Sequence, residues 1–291
     1  MKSGFVSVLG LPNVGKSSLI NKLVKHKICI VTSKPQTTRD QIQAVAHWDK
    51  SDTQVVFIDT PGLFDPSRRL GKAMVSRAKK SINEIDLILY MIDASHNFNK
   101  KDQKIWESVD LPDEKIIILI NKVDLLKGEN DLIQLIDKIN KFTNIETIVP
   151  ISVKDNYKID LLKNLIKNNL EEGPVYYPKD MLTDKDKKFM IKELIRESII
   201  KNVYEELPYV VAIIIKDFSD KYIKATIICE KESQKGILIG SGGSMIKKIG
   251  KESRKKIENF LDKNVYLELV VNVKKNWRKD ERILRDLGYI D

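Results

Sequence analysis

The chain has 291 residues, of which 42% are hydrophobic and 32% are charged, a balance that supports packed cores and excludes a disordered chain. Lysine and arginine number 51 against 41 acidic residues, and the net charge of +10 favours an anionic partner, either nucleic acid or a membrane surface. Two cysteines, Cys29 and Cys229, are too few for a zinc cluster or a disulfide framework, and no apolar run is long enough for a spanning helix, so we expect a soluble, cytoplasmic protein.

Residues 4–170 alternate short apolar runs with helical patterns. The runs predict strands over residues 5–9, 42–48, 55–58, 87–92, 116–120 and 147–151. Strands that alternate with helices predict an α/β domain with a mainly parallel sheet and helices on both faces, which we assign to residues 1–170. The second predicted strand reaches Val55 through Asp49-Lys50-Ser51-Asp52, a connection short enough for an antiparallel hairpin.

Pro174 and Pro178 interrupt this alternation, and residues 171–183 are predicted to form a linker. A different order follows in residues 184–291, where helix, strand, strand, helix, helix and strand predict a smaller α+β domain. Its predicted elements are an amphipathic helix over 185–204, strands over 210–218, 222–229 and 265–273, a short helix, and a helix over 244–260. Residues 235–279 hold 12 basic and 4 acidic residues, so most of the net charge of the chain, +8, lies in this stretch.

A glycine-rich motif of the form GxxxxGK[ST] follows the first predicted strand and opens the first predicted helix. It comprises Gly10, Leu11, Pro12, Asn13, Val14, Gly15, Lys16 and Ser17. Glycines let successive backbone N–H groups point at phosphate oxygens, and the N-terminus of the helix adds positive potential. We therefore predict a nucleotide site in which Lys16 binds the outer phosphates and the Ser17 hydroxyl ligates Mg²⁺.

An acidic motif at the end of the third predicted strand fits the same site. Asp59 is predicted to hold Mg²⁺ through water and the Gly62 N–H to bond the γ-phosphate, with Thr60 and Pro61 between them. Leu63 follows at the position where Ras-like enzymes place a glutamine that orients the attacking water. We therefore expect slow intrinsic turnover or dependence on another activator.

The loop between the first helix and the second strand contains Gln36, Thr37, Thr38 and Arg39. A threonine in this loop can ligate Mg²⁺ while the γ-phosphate is present and release it after hydrolysis. We favour Thr38 over Thr37 for this role, and the alternative is an ordinary loop of small polar residues.

The motif after the fifth predicted strand indicates which base is bound. Asp124, in the sequence Asn121-Lys122-Val123-Asp124, can accept hydrogen bonds from the N1–H and N2–H groups of guanine. Adenine lacks both donors and would leave the carboxylate without partners, which costs binding free energy. Asn121 is predicted to brace the loop and the base, and the Lys122 stem to cover the ring.

Ser152, Val153 and Lys154 follow the sixth predicted strand and resemble the Ser-Ala-Lys loop of GTPases, in which a backbone N–H contacts the guanine oxygen. Val153 stands in place of the usual alanine, a change that a contact from the main chain can tolerate. The loops occur in the expected order, each after a strand, and together they predict a guanine-nucleotide-binding domain for GTP, GDP and Mg²⁺.

A second glycine-rich loop lies between two predicted helices of the smaller domain. A GxxG loop in this position marks a KH domain, which clamps the backbone of about four single-stranded nucleotides. Small residues allow the phosphates to approach closely, and lysines supply positive charge. The predicted RNA-binding residues are Ile239, Gly240, Ser241, Gly242, Gly243, Lys247 and Lys248.

With these motifs, nearly the whole chain resembles the Era family of bacterial GTPases, which carry an N-terminal Ras-like domain and a C-terminal type II KH domain. The resemblance also covers residues 35–39, 206–209, Trp277, 280–282 and 287–289. It implies GTP hydrolysis, binding near the 3′ end of 16S rRNA, and a role in 16S rRNA processing and biogenesis of the 30S ribosomal subunit. It also implies control of RNA binding by the nucleotide state and allows for peripheral association with the cell membrane. We expect a monomer.

Asn13 is a candidate source of the catalysis that Leu63 cannot supply. Its side-chain oxygen can ligate a monovalent cation beside the phosphates, where charge develops during transfer. Resemblance to GTPases with a Pro-Asn-Val-Gly-Lys-Ser loop, which use K⁺ in this manner, supports that role. The alternative is that Asn13 only braces the loop. The predicted catalytic set is Asn13, Lys16, Thr38 and Gly62.

Two other functions are compatible with part of the sequence. One is an RNA-binding scaffold that uses the nucleotide only as a conformational ligand, with little hydrolysis. The other is a related GTPase that modifies tRNA, although no cysteine or cofactor motif supports such chemistry and the GxxG loop argues against it.

Overall fold

The computed structural model describes residues 1–32, 34, 41–59, 85–96, 98–108 and 115–277. The chain divides into two compact units. The first comprises Met1–Cys29 and Thr38–Asp184, and the second comprises Ile30–Thr37 and Lys185–Asp291. The short segment that follows the first helix therefore belongs with the C-terminal unit.

The first unit contains a sheet of six strands, which are β1 Lys2–Gly10, β2 Ile42–Trp48, β3 Thr53–Asp59, β4 Leu87–Asp93, β5 Ile116–Asn121 and β6 Ile148–Pro150. Their order in the sheet is β2-β3-β1-β4-β5-β6. β2 is antiparallel to β3, and the other neighbouring pairs are parallel. The mainly parallel sheet and the hairpin between β2 and β3 confirm the predicted topology.

The described helices of this unit are α1 Lys16–Val24, α2 Lys100–Ser108, α3 Glu129–Asn140 and α4 Ile159–Asn169. β4 and β5 are buried at every position, which explains why their sequences are continuous apolar runs rather than alternating patterns. In such a sheet the carboxyl ends of parallel strands lie along one edge, where ligands usually bind. The fold thus brings together the loops after β1, β3, β4 and β5.

Residues 171–184, most of which the sequence predicts as a linker, are held against the first unit. The buried amide of Gln54 in β3 donates to the Tyr177 carbonyl over 2.7 Å. Its oxygen accepts from the backbone N–H groups of Tyr176 and Tyr177, at 2.8 and 3.1 Å. The Leu182 carbonyl accepts a backbone hydrogen bond from β2. The Gln54 side chain and backbone hydrogen bonds to β2 together hold this segment against the sheet.

The second unit contains a three-stranded sheet in the order β7-β8-β9, formed by β7 Ala212–Phe218, β8 Tyr222–Cys229 and β9 Tyr266–Val273. Its described helices are α5 Lys187–Asn202, α6 Leu207–Val210, α7 Glu232–Ile239 and α8 Ser244–Leu261. The predicted order of elements is confirmed. The short helix α6 was not predicted; Pro208 lies in its first turn, where a missing N–H is harmless.

The prediction that α5 is amphipathic is wrong. Eleven of its sixteen residues are buried, and three of these are charged. Glu193 and Arg196 form a buried ion pair with each other, and Glu197 pairs with Lys256 of α8 at 3.2 Å. Charged side chains usually mark a solvent-exposed face, but these are neutralised inside the unit, which the spacing of polar residues cannot reveal.

Candidate functional site

Four strand ends define the site at one edge of the large sheet. Gly10 ends β1, Asp59 ends β3, Asp93 ends β4 and Asn121 ends β5. Asp93 and Asn121 are neighbours in the register of the two parallel strands, so their side chains begin side by side. The predicted phosphate-binding loop starts from β1 and the base-binding loop from β5, at the same edge of the sheet with β4 between them.

Two glycines of the phosphate-binding loop are required by geometry. Gly10 has φ 138°, and a Cβ there would lie 2.3 Å from the Met91 carbonyl oxygen of β4. Gly15 has φ 111°, and a Cβ there would lie 2.4 Å from Nδ2 of Asn121. Both positions demand a left-handed backbone and space that a side chain would fill.

Lys16 lies at the start of α1 with its side chain folded over the loop. Its Nζ donates to the carbonyl oxygens of Gly10 and Leu11, at 3.0 and 2.9 Å. Burial lowers the pKa of Lys16 to about 8, and the charge of Asp59 only partly opposes this effect. Phosphate oxygens would favour the charged ammonium, so we expect nucleotide binding near pH 8 to take up a proton.

Ser17 and Asp59 form the core of the predicted magnesium site. The Ser17 hydroxyl donates to Oδ2 of Asp59 over 2.9 Å, and Asp59 is fully buried at the end of β3. Hydroxyl and carboxylate oxygens suit Mg²⁺, which takes few protein ligands and completes its shell with phosphates and water. The other residues predicted for this part of the site, Thr38, Thr60, Pro61, Gly62 and Leu63, lie outside the described residues.

Asn121 connects three loops through its buried side-chain amide. Nδ2 donates to the Val14 carbonyl of the phosphate-binding loop over 2.7 Å. Oδ1 accepts from the Val153 N–H of the loop after β6 over 3.1 Å. Both ends of the amide are thus engaged, and they tie the two loops to the end of β5.

Asp124 is oriented by the hydroxyl of Ser152, a contact that the sequence did not predict. The buried Ser152 hydroxyl donates to Oδ1 of Asp124 over 2.7 Å. Oδ2 lies 3.8 Å from Nζ of the exposed Lys154. The loop after β6 was predicted to contribute a backbone N–H to the base; its serine also fixes the direction of the base-reading carboxylate.

Asp93 is a site residue that the sequence analysis missed. Its Oδ2 accepts a hydrogen bond from Nζ of Lys122, and its Oδ1 accepts from the N–H and the hydroxyl of Ser95, at 2.9 and 2.6 Å. Lys122 has a left-handed backbone, with φ 64°, and this carboxylate anchors its side chain. The position of Asp93 at the end of β4 could have identified it as a site residue, because the same position at the end of β3 identified Asp59.

The charge of Asp93 is stable near neutral pH. Burial alone would raise the pKa of this carboxyl, but the hydrogen bonds from Lys122 and Ser95 outweigh burial and hold the pKa below its usual range. A carboxylate with a lowered pKa keeps its charge, and therefore its ion pairs, until the pH falls through that pKa. The pair with Lys122 is therefore intact across the physiological range.

The second predicted site, the GxxG loop, connects α7 to α8. Gly240, Gly242 and Gly243 have φ values of 71°, 58° and 79°, a left-handed conformation that favours glycine. A Cβ on Gly240 would lie 2.8 Å from the Met245 backbone nitrogen, whereas a Cβ on Gly242 would meet no atom within 4 Å and one on Gly243 would meet only Cγ2 of Ile246, at 4.0 Å. The loop therefore leaves room for a phosphate to approach its last two glycines.

The remaining predicted RNA-binding residues surround this loop. Ser241 is exposed at its tip, and Lys247 and Lys248 are exposed in the first turns of α8. Ile239, at the end of α7, is partly buried and packs against the core of the unit. The structure thus places one predicted contact residue partly in the core and two lysines beside the open side of the loop.

Two protein families match this chain, each in a different part of the sequence. The sequence profile of a family described as 50S ribosome-binding GTPase matches residues 5–122, and that of a KH domain matches residues 194–278. A solved structure of Era in complex with MgGDPNP and nucleotides 1506–1542 of 16S ribosomal RNA is 36% identical to the chain, with a TM-score of 0.92 and 100% of both chains covered. A variant of Aquifex aeolicus Era bound to GDP·AlF4⁻ shows the same identity, coverage and TM-score.

We expect Asp124→Asn to weaken GTP binding by about 3 kcal/mol, roughly a hundredfold in Kd, because an amide cannot accept both hydrogen bonds from guanine. Xanthosine triphosphate, whose 2-oxo group is an acceptor, should bind the variant more tightly than GTP does. The amide oxygen can still accept from Ser152, so the loop keeps its shape. Calorimetric titration measures the affinity of the variant for each nucleotide. Unchanged GTP affinity would show that Asp124 does not contact the base.

Asp93→Asn removes the charge that anchors Lys122, and we expect both GTP and GDP to bind about tenfold more weakly, ~1.4 kcal/mol. Asp160→Asn is the matched control, because Asp160 is an exposed carboxylate paired with Lys163 and should change either Kd by less than about twofold. Fluorescence titration with labelled GTP and GDP provides the measurement. A loss confined to GTP would place the effect at the γ-phosphate and contradict a role on the base side.

Proposed function

The chain belongs to the Era family of GTPases, and we propose that it hydrolyses GTP to GDP and phosphate and binds the 3′ region of 16S rRNA through its KH domain. The observation that carries the proposal is that Asn121 joins a phosphate-binding loop to a guanine-reading loop, in a chain that also holds a GxxG loop between two helices. In one solved structure of Era, MgGDPNP and nucleotides 1506–1542 of 16S rRNA occur in one complex.

The residues of this chain bind and orient the nucleotide rather than react with it covalently. Lys16 exchanges its two backbone acceptors for phosphate oxygens, and the N–H groups of the loop surround the phosphates. Ser17 and, through water, Asp59 would hold Mg²⁺, which would supply positive charge beside the phosphates. Asp124 selects guanine. Phosphoryl transfer depends mainly on positioning and electrostatic stabilisation, and these residues supply both.

We further propose a role in 16S rRNA processing and biogenesis of the 30S subunit, carried out by a cytoplasmic monomer. Peripheral association with an anionic membrane surface is a secondary proposal, supported by the net charge of +10. In the part of the chain that the structure describes, no helix is both long and apolar enough to cross a membrane.

Gly243→Asp tests whether the two ligands have separate sites. The substitution puts a carboxylate and a Cβ on the open side of the loop, at a φ of 79° that favours glycine. We expect the Kd for an RNA carrying the 3′ end of 16S rRNA to rise at least about tenfold, because a negative charge meets the phosphates. GTP affinity should stay within about twofold, since the nucleotide loops lie in the first unit.

Gly128→Asp is the matched control, because it adds the same charge to the first unit at an extended, unobstructed position before α3. Fluorescence anisotropy measures RNA binding, and release of phosphate from GTP and from ATP, with and without RNA, measures turnover. Equal RNA affinity of the Gly243→Asp variant and the parent would reject the clamp. No GTP-specific phosphate release by the parent in any condition would favour the nucleotide-switched scaffold.

The proposed use of K⁺ depends on Asn13, which is exposed and has a left-handed backbone with φ 65°. Asparagine tolerates this conformation better than most residues, so the backbone alone gives a reason for its presence. The test must therefore separate the side-chain oxygen from the backbone. Asn13→Gly keeps the left-handed conformation and removes the oxygen, whereas Asn13→Ala adds strain as well.

If Asn13 ligates K⁺, phosphate release by the parent should be several-fold faster in KCl than in NaCl of equal ionic strength, because the cation stabilises charge developing between the β- and γ-phosphates. Asn13→Gly should lose that advantage while its GTP affinity remains close to that of the parent. Equal rates in the two salts, or a K⁺ advantage that survives in Asn13→Gly, would leave Asn13 with only a structural role.

A further inference from the structure

Every charged residue on the exposed face of α8 is a lysine or an arginine. The exposed residues of this helix are Ser244, Lys247, Lys248, Lys251, Arg254, Lys255 and Asn259. Both acidic residues of α8 are partly buried: Glu252 accepts from Asn202 over 2.8 Å, and Glu258 accepts from the Val265 N–H. The carboxylates of the helix thus point toward the unit, and the five basic residues, which we term the α8 basic face, point to solvent.

Four lysines of the α8 basic face have no carboxylate partner among the residues that the structure describes. Arg254 lies 3.9 Å from Glu258, but no described acidic group is within the 4.0 Å of an ion pair from Lys247, Lys248, Lys251 or Lys255. Lys256, by contrast, turns inward and pairs with Glu197. The inward-facing Lys256 is therefore neutralised, whereas the four exposed lysines are not neutralised by any described carboxylate.

The spacing of these lysines is unfavourable for the helix alone. Lys247, Lys251 and Lys255 are four residues apart, so they stack on one side, and like charges at this spacing destabilise a helix. A solvated surface helix usually mixes charges of both signs, as α3 does with exposed Glu129, Asp131 and Lys138. An uncompensated row of like charges is stable when a polyanion supplies the missing partners.

The row also has a direction. It starts in the first turn after the GxxG loop and extends about 12 Å along α8, given a rise of 1.5 Å per residue. A GxxG loop holds only about four nucleotides, so any longer RNA must leave the loop and pass over neighbouring surface. The α8 basic face therefore begins where the predicted clamp ends.

We infer that Lys251 and Lys255, with Arg254 beside them, bind the phosphates of RNA nucleotides that flank the clamped segment, extending the RNA site along α8 beyond the GxxG loop. This inference rests on the proposed RNA-binding function. The contacts are ionic and made to the backbone, so they add affinity for long RNA without reading its bases.

The test compares two RNAs on the full chain. One is a single strand of about six nucleotides, which fills the clamp alone, and the other carries the same core extended by about ten nucleotides on each side. For Lys251→Gln/Lys255→Gln, the slope of log K against log salt concentration on the long RNA should fall by about 1.4, or 0.7 for each lost contact with a single strand. Affinity for the short RNA should stay within about twofold of the parent.

Lys216→Gln/Lys221→Gln is the matched control, since it removes the same charge from exposed positions in β7 and in the turn before β8. It should leave both RNAs unaffected. Thermal unfolding checks that the α8 variant folds, and its Tm should be equal to or above that of the parent because repulsion within the helix is relieved.

Each remaining outcome decides between explanations. A salt slope on the long RNA equal to that of the parent overturns the inference, and so does an equal loss of affinity for both RNAs, which would place the lysines in the clamp itself. Loss of binding to vesicles containing anionic lipid, with RNA binding unchanged, would assign the α8 basic face to a membrane surface instead. Failure of the parent to bind either RNA would reject the proposed function rather than the extension along α8.

Discussion

The side-chain amide of Asn121 is the interaction on which the nucleotide site depends. It is buried, and its two ends hold loops that are far apart in the sequence, at Val14 and at Val153. Gly15 must be glycine because this amide occupies the space of a side chain. Replacing the amide would leave a carbonyl and an N–H without their partner, and the phosphate-binding and base-binding loops would lose their common support.

Much of this site is predictable because its parts are local. The spacing of glycines indicates a left-handed turn. A polar residue after an apolar run indicates the end of a strand at the edge of the sheet. Other parts depend on pairs distant in sequence: Asp93 anchors Lys122, and the Ser152 hydroxyl orients Asp124. The buried Glu197 of α5 was missed for the same reason, since its partner Lys256 lies on another helix. Short sequence patterns contain no information about which elements meet.

The two sites are built on opposite electrostatic principles. In the first unit, the polar groups that position the nucleotide are buried and joined to protein partners, so dissolved salt screens them little. On α8, Lys247, Lys248, Lys251 and Lys255 are exposed and have no carboxylate partner among the described residues, so the surrounding ions compete directly with a bound polyanion. Ionic strength therefore acts on one half of the chain much more than on the other, although both halves bind phosphates.

The assignment of Ile30–Thr37 to the second unit affects the order in which the chain folds during synthesis. Lys34 donates a hydrogen bond to the carbonyl of Val203, and its ammonium lies over the ring of Tyr204, although 169 residues separate Lys34 from Val203. A ribosome makes the N-terminal residues first, so this segment has to wait for more than half of the chain before its partners exist. Contacts between such distant residues form slowly. The N-terminal unit can therefore complete its sheet on the ribosome while the segment after Cys29 still waits for its partners, and the last contacts to form are those that join this segment to residues made after Asp184.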